Sequence, residues 1–154
     1  MNAFFKKSGW RGILQAALVV LLGALFIFAG WSKLQDLPAF TKDIGNYRIL
    51  PEAWAPYLAA WLPWLEVLTG IAILVRPLRL TGTLLTCLLM GVFTIAVGAA
   101  LARGLDISCG CFGKAFGAYA EPVGIALLRD ILLLAASVVL LRLVWVSEER
   151  DMSK

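Results

Sequence analysis

Histidine is missing from this 154-residue sequence. That absence removes the usual general base of hydrolytic and acid–base catalysis. It also removes the nitrogen ligand of most closed zinc sites, which want about four ligands. Charge is scarce, with Asp, Glu, Lys and Arg together at 16% against 61% hydrophobic residues, so the chain is too apolar to be an ordinary soluble domain. No internal repeat or low-complexity segment stands out. Cysteine occurs only three times, too few for a disulfide-scaffolded secreted fold. What the sequence has instead is long apolar runs.

Four such runs, about Gly12–Gly30, Tyr57–Val75, Leu80–Ala102 and Val123–Val146, match the roughly 20 apolar residues that a membrane-spanning helix needs. The expected architecture is therefore an all-α, four-helix transmembrane bundle formed as one domain by residues 1–154, with connections at 31–56 and 103–122. Lys6, Lys7 and Arg11 precede the first run in the manner of a signal peptide. Its apolar stretch is too long for one, however, and no small-x-small cleavage site follows, which reads as a retained helix. The net charge of +4 is spread over helix ends and does not form a basic face, so nucleic acid is not an expected partner. Eight Lys and Arg lie in the N-terminal segment, the Arg76–Arg79 turn and the C-terminal tail, against six in or near the two longer connections. The positive-inside rule then puts both termini in the cytoplasm and the longer connections outside a bacterial inner membrane.

The first connection is rich in Pro and charge, and Phe40–Tyr47 reads as a short interfacial helix. Trp54, Tyr57, Trp61 and Trp64 recur at the start of the second run, as an aromatic belt at the lipid headgroups does. Arg76-Pro-Leu-Arg79 predicts a tight turn between antiparallel neighbours. Gly23, Gly82, Gly91 and Gly98 are the expected points of close helix approach.

Chemistry concentrates in two places. The connection after the third run contains Ser108-Cys-Gly-Cys-Phe-Gly113, where Gly110 allows the sulfurs of Cys109 and Cys111 to be brought together. A ring that small closes too short a loop to stabilise a fold much, whereas strained, exposed disulfides are the exchangeable ones. Lys114 favours a thiolate nearby and Asp106 opposes it. A static staple, a pair of inert thiols, or a soft-metal site such as Cu(I) are the competing readings. Cys87 lies 15 residues before Ala102, about 22 Å along one helix, and reads as core packing. The second place is ionisable. Glu66 interrupts the second run, Arg129 and Asp130 the fourth, and Lys33 closes the first. Charges at that depth imply partners, with Glu66 paired to Arg129 or Lys33, and by residue counting all four belong to the outer half of the bilayer.

Several segments together resemble the MauE/DoxX-like membrane proteins. They are Phe28-Ala-Gly-Trp-Ser-Lys-Leu34, Asn46-Tyr-Arg-Ile-Leu-Pro51, Leu62-Pro-Trp-Leu-Glu66, Asp106-Ile-Ser-Cys-Gly-Cys-Phe-Gly113 and Leu128-Arg-Asp130, within about Gly23 to Leu141. The resemblance implies a bacterial four-helix inner-membrane protein tied to redox chemistry. Its MauE side is associated with maturation of a disulfide-rich methylamine dehydrogenase subunit, and its DoxX side with thiosulfate and quinone oxidoreduction. The resulting expectation is a thiol–disulfide oxidoreductase. Cys109 and Cys111 exchange electrons with an extracytoplasmic thiol protein, and a lipid quinone is housed near Glu66, Arg129, Asp130 and Lys33. The alternative is a non-catalytic subunit or small transporter whose loop thiols bind a soft metal or shape a docking site.

Overall fold

A computed structural model describes residues 9–105 and 122–152, with side chains as far as Glu149. The described residues are helical and contain no strand: α1 (Gly9–Gln35), α2 (Leu37–Asn46), α3 (Ala55–Leu74), α4 (Arg79–Ala102) and α5 (Val123–Met152). Four of these segments are long and apolar enough to cross a membrane, and the protein is a multi-pass membrane protein. Large side chains such as Val20, Leu68, Leu88, Ile95 and Leu132 point outward. A lipid-facing bundle carries its apolar residues there, because acyl chains accept them as readily as a core does.

Each spanning helix buries only a narrow stripe. On α1 the stripe is Val19, Leu22, Gly23, Phe26, Ala29, Gly30 and Lys33, at the three- and four-residue spacing of one helical face. It lies along α3 through small residues. A Cβ on Gly70 would stand 2.7 Å from the Gly23 carbonyl oxygen, and one on Gly30 would meet the Pro63 carbonyl. Hydrogen at these positions therefore lets two backbones touch. Pro63 sits inside α3 and removes one backbone donor from the helix, a loss that buried packing tolerates in membrane helices. On α4, the hydroxyls of Thr83, Thr86 and Thr94 each donate to the carbonyl four residues earlier, at 2.7, 2.9 and 2.7 Å. Satisfying hydroxyls within their own helix is the route open to them in lipid.

The tight turn forms as expected. A 3₁₀ turn at Arg76–Leu78 joins α3 to α4, Arg79 Nε donates to the Ile73 carbonyl at 3.1 Å, and Gly82 abuts the backbone of Ala72 and Ile73. Other expectations need correction. In connection 31–56 the expected short helix forms as α2, whose N-cap Asp36 accepts from the Ala39 amide at 3.1 Å, but α1 runs on to Gln35, past its expected end at Gly30. Gly91 has nothing near its missing Cβ, and Gly98 would reach only Leu127 at 3.9 Å, so neither marks a close crossing. Gly30 and Gly70 do so instead, together with Gly23 and Gly82. Cys87 is half-buried, and its thiol donates to Ser137 Oγ at 3.4 Å, a polar contact between α4 and α5.

One end of the bundle gathers the C-terminal ends of α1 and α4 with the N-terminal ends of α3 and α5. Arg103, just past α4, donates to the carbonyls of Tyr47 at 2.8 Å and Arg48 at 3.1 Å, tying the α2–α3 connection to the α4 exit. Arg48 adopts φ 49°, the left-handed conformation that turns the chain there. Tyr47 and Leu105 pack on Val97, Ala100, Val123 and Ala126. Leu105 and Pro122, the described residues on either side of 106–121, lie at this end.

Candidate functional site

The centre of the bundle is charged. Lys33 Nζ donates to Glu66 Oε1, and both side chains are almost wholly buried. The geometry follows from the α1–α3 seam: both residues lie on the stripes that face each other, and the glycines bring the helices close enough for a lysine to reach a carboxylate. The Lys33 ammonium also stands 5.2 Å from the Phe40 ring of α2 and 5.3 Å from the Phe93 ring of α4. Two aromatic faces and one carboxylate replace the water that this cation would otherwise bind.

Glu66 lies 11 residues after Ala55 and 8 before Leu74, close to the middle of α3. Lys33 reaches in toward it from the last turn of α1. The second carboxylate, Asp130, is buried on α5, seven residues after Val123 or about 10 Å along the axis. Arg129 holds Asp130 Oδ1 through Nε and an Nη, both at 3.4 Å, and its own side chain is 26% exposed. Adjacent helical residues point about 100° apart, so the guanidinium folds back along the helix surface while the carboxylate faces inward.

Between the two carboxylates is a small cavity of about 20 Å³, room for roughly one water molecule. Glu66 and Asp130 line it, and its other walls are apolar: Leu22, Phe26, Met90, Phe93 and Leu133 among them. Glu66 Oε2 and, one turn further along α3, Thr69 Oγ1 have no hydrogen-bond partner among the described residues. A carboxylate that lines a water-sized space with only one oxygen committed to an ammonium can hold an ordered water or take up a proton. Among the described residues no group of three or more His, Cys, Asp or Glu is arranged to hold a metal ion.

Of the residues singled out in the sequence, Lys33, Glu66 and Asp130 come together. Arg129 is adjacent but belongs to Asp130, and Lys33 is the partner of Glu66. Cys109 and Cys111 lie outside the described residues. Sequence reasoning missed Phe40 and Phe93, the aromatic walls around Lys33, which carry no signal apart from the cation they face. It also missed Gly30, although its seven-residue spacing from Gly23 is a visible sign of one helix face.

The methylamine utilisation protein MauE family model matches residues 11–143. The chain belongs to the MauE family. It is 31% identical over 121 residues to methylamine utilization protein MauE of Paracoccus denitrificans, covering 77% of this chain and 63% of that one. The MauE proteins of Methylophilus methylotrophus and Methylorubrum extorquens match at 32% and 39% identity, each over 99 residues, covering 60% and 64% of this chain. The chain spans roughly half to 63% of the length of these curated MauE relatives. No solved structure matches.

Proposed function

We propose that this MauE-family protein is a membrane thiol–disulfide exchange protein acting in methylamine utilisation, with Cys109 and Cys111 as its redox pair. The observation that carries this reading is the Cys109-Gly-Cys111 sequence in the connection between α4 and α5, whose described start is held by the Arg103 hydrogen bonds to Tyr47 and Arg48. A partner thiolate attacks one sulfur of the Cys109–Cys111 disulfide and forms a mixed disulfide. The partner's second thiol then displaces that sulfur, leaving a partner disulfide and two reduced cysteines. Two electrons and two protons pass from partner to protein, and the reverse sequence runs if the partner is the oxidant. The partner in this reading is an extracytoplasmic thiol protein, with both termini of the chain in the cytoplasm and the cysteines outside an inner membrane, where a disulfide persists.

Among the described residues the cavity beside Glu66 and Asp130, about 20 Å³, is the size of a water, so in this reading a quinone approaches these residues from the lipid side of the bundle. A membrane quinone near Glu66, Arg129, Asp130 and Lys33 is the second redox partner in this reading, and the thiol exchange itself needs none of these four residues. The test is an equilibrium redox titration of purified protein in a dithiol buffer, read by alkylation of Cys109 and Cys111. Reversible interconversion of the pair at a potential above about −300 mV supports exchange chemistry. A pair that never forms a disulfide, or that copurifies with stoichiometric copper or zinc, contradicts it and favours the non-catalytic subunit or transporter.

A further inference from the structure

The thiol chemistry leaves the charged centre of the bundle without a role, and that centre has the makings of a binding site. Glu66 is only 2% exposed, one of its carboxylate oxygens is held by Lys33, and the other has no hydrogen-bond partner among the described residues while its carboxylate lines a cavity the size of one water. Asp130, equally buried, lines the same cavity from α5. A purely structural ion pair needs no such space beside it, and well-packed apolar residues would serve the fold as well or better than a buried pair.

The chemistry of the walls selects the ligand. A dehydrated metal cation wants about six oxygen ligands, and the remaining lining here is Leu, Phe, Ala and Met. A proton needs one carboxylate oxygen and a water to reach it. The groups facing Glu66 are Lys33 from α1 and Asp130 from α5, the latter held by Arg129, while α4 supplies only the uncharged Met90 and Phe93 and α2 adds Phe40 beside Lys33. Two carboxylates against two cations leave the cluster neutral when empty and singly positive when it holds a proton.

We infer that Glu66 is a proton-binding site inside the membrane-spanning bundle, exchanging its proton with Asp130 through a single water in the cavity that both line. The proton moves from the Asp130 carboxyl to the water while the water passes one of its own to Glu66 Oε2, so no bond is left open and no oxidant or reductant is involved. The site does not depend on the cysteines, and its test is blind to them.

That test is infrared difference spectroscopy of the full chain in lipid vesicles, titrated with pH in H₂O and D₂O. The expected result is a high-frequency carboxyl C=O band, the mark of a protonated carboxyl away from bulk water, that titrates, shifts in D₂O and disappears in Glu66→Gln. Asp130→Asn, which retains the Lys33–Glu66 pair, should weaken the proton affinity read from that band about tenfold or more, because a neighbouring negative charge is gone. Absence of a titrating band in the unaltered protein, or a band that survives in Glu66→Gln, overturns the proposal. So does a band whose titration is unmoved by Asp130→Asn, a variant that also decides the matter if Glu66→Gln does not fold.

Discussion

Breaking the Lys33–Glu66 pair one side at a time, and then on both sides, measures what holds the bundle together. Lys33→Met removes the cation and leaves a carboxylate that is 2% exposed among apolar neighbours. Glu66→Leu leaves an ammonium with only the Phe40 and Phe93 rings at 5.2 and 5.3 Å. Stranding one member of a buried pair costs about 3–5 kcal/mol. At about 2–4 °C per kcal/mol for a chain of this size, each single variant should melt roughly 6–20 °C below the parent. Lys33→Met should fall at the lower end, because Glu66 can take up a proton and shed its charge. The double variant has lost both charges and kept similar volume, so it should return to within a few degrees of the parent. Thermal unfolding in detergent, followed by circular dichroism, reads all four proteins. Additive losses would refute the reasoning, since residues that do not interact show no coupling in a double-mutant cycle.

Gly70→Leu should prevent stable assembly, because its Cβ alone would stand 2.7 Å from the Gly23 carbonyl and 2.9 Å from the Ile27 amide, whereas Gly91→Leu, with open space around it, should be tolerated; expression and melting temperature compare them. Cys87→Ser should shift stability by less than about 1 kcal/mol in the same assay, since a hydroxyl can still donate to Ser137 Oγ, now 3.4 Å from the sulfur. A reporter fused after Lys154 should be cytoplasmic, and a membrane-impermeant thiol reagent should label reduced Cys109 or Cys111 in intact cells; labelling only after lysis would reverse the orientation.

The spanning helices were legible because lipid imposes a simple demand, about 20 apolar residues in a row, which the sequence meets in plain sight. Their ends were not. Trp31-Ser-Lys-Leu-Gln35 reads as the polar edge of a span, yet it stays helical because Lys33 finds its carboxylate inside the bundle. The partner of Glu66 was legible only as a choice between Lys33 and Arg129, since the answer depends on how the helices are rotated. Asp130, next to Arg129 in sequence, takes that guanidinium. Glu66 falls near the middle of α3, while its neighbours Lys33 and Asp130 lie toward the end where α1 finishes and α5 begins. The glycine contacts divided for the same reason: Gly23 and Gly82 face a neighbouring backbone, Gly91 does not, and spacing alone fixes a face without saying which way it turns.

The most direct test of the proposed exchange chemistry is capture of its intermediate. Cys109→Ser and Cys111→Ser are each expressed in cells that carry the intact partner, thiols are acid-quenched and alkylated, and the products are resolved without reductant. With the resolving thiol gone, one of the two variants should accumulate a reducible, higher-mass adduct that contains this chain disulfide-linked to an extracytoplasmic protein. Normal membrane levels of both variants, no adduct in either, and retained function with both cysteines replaced would contradict the account.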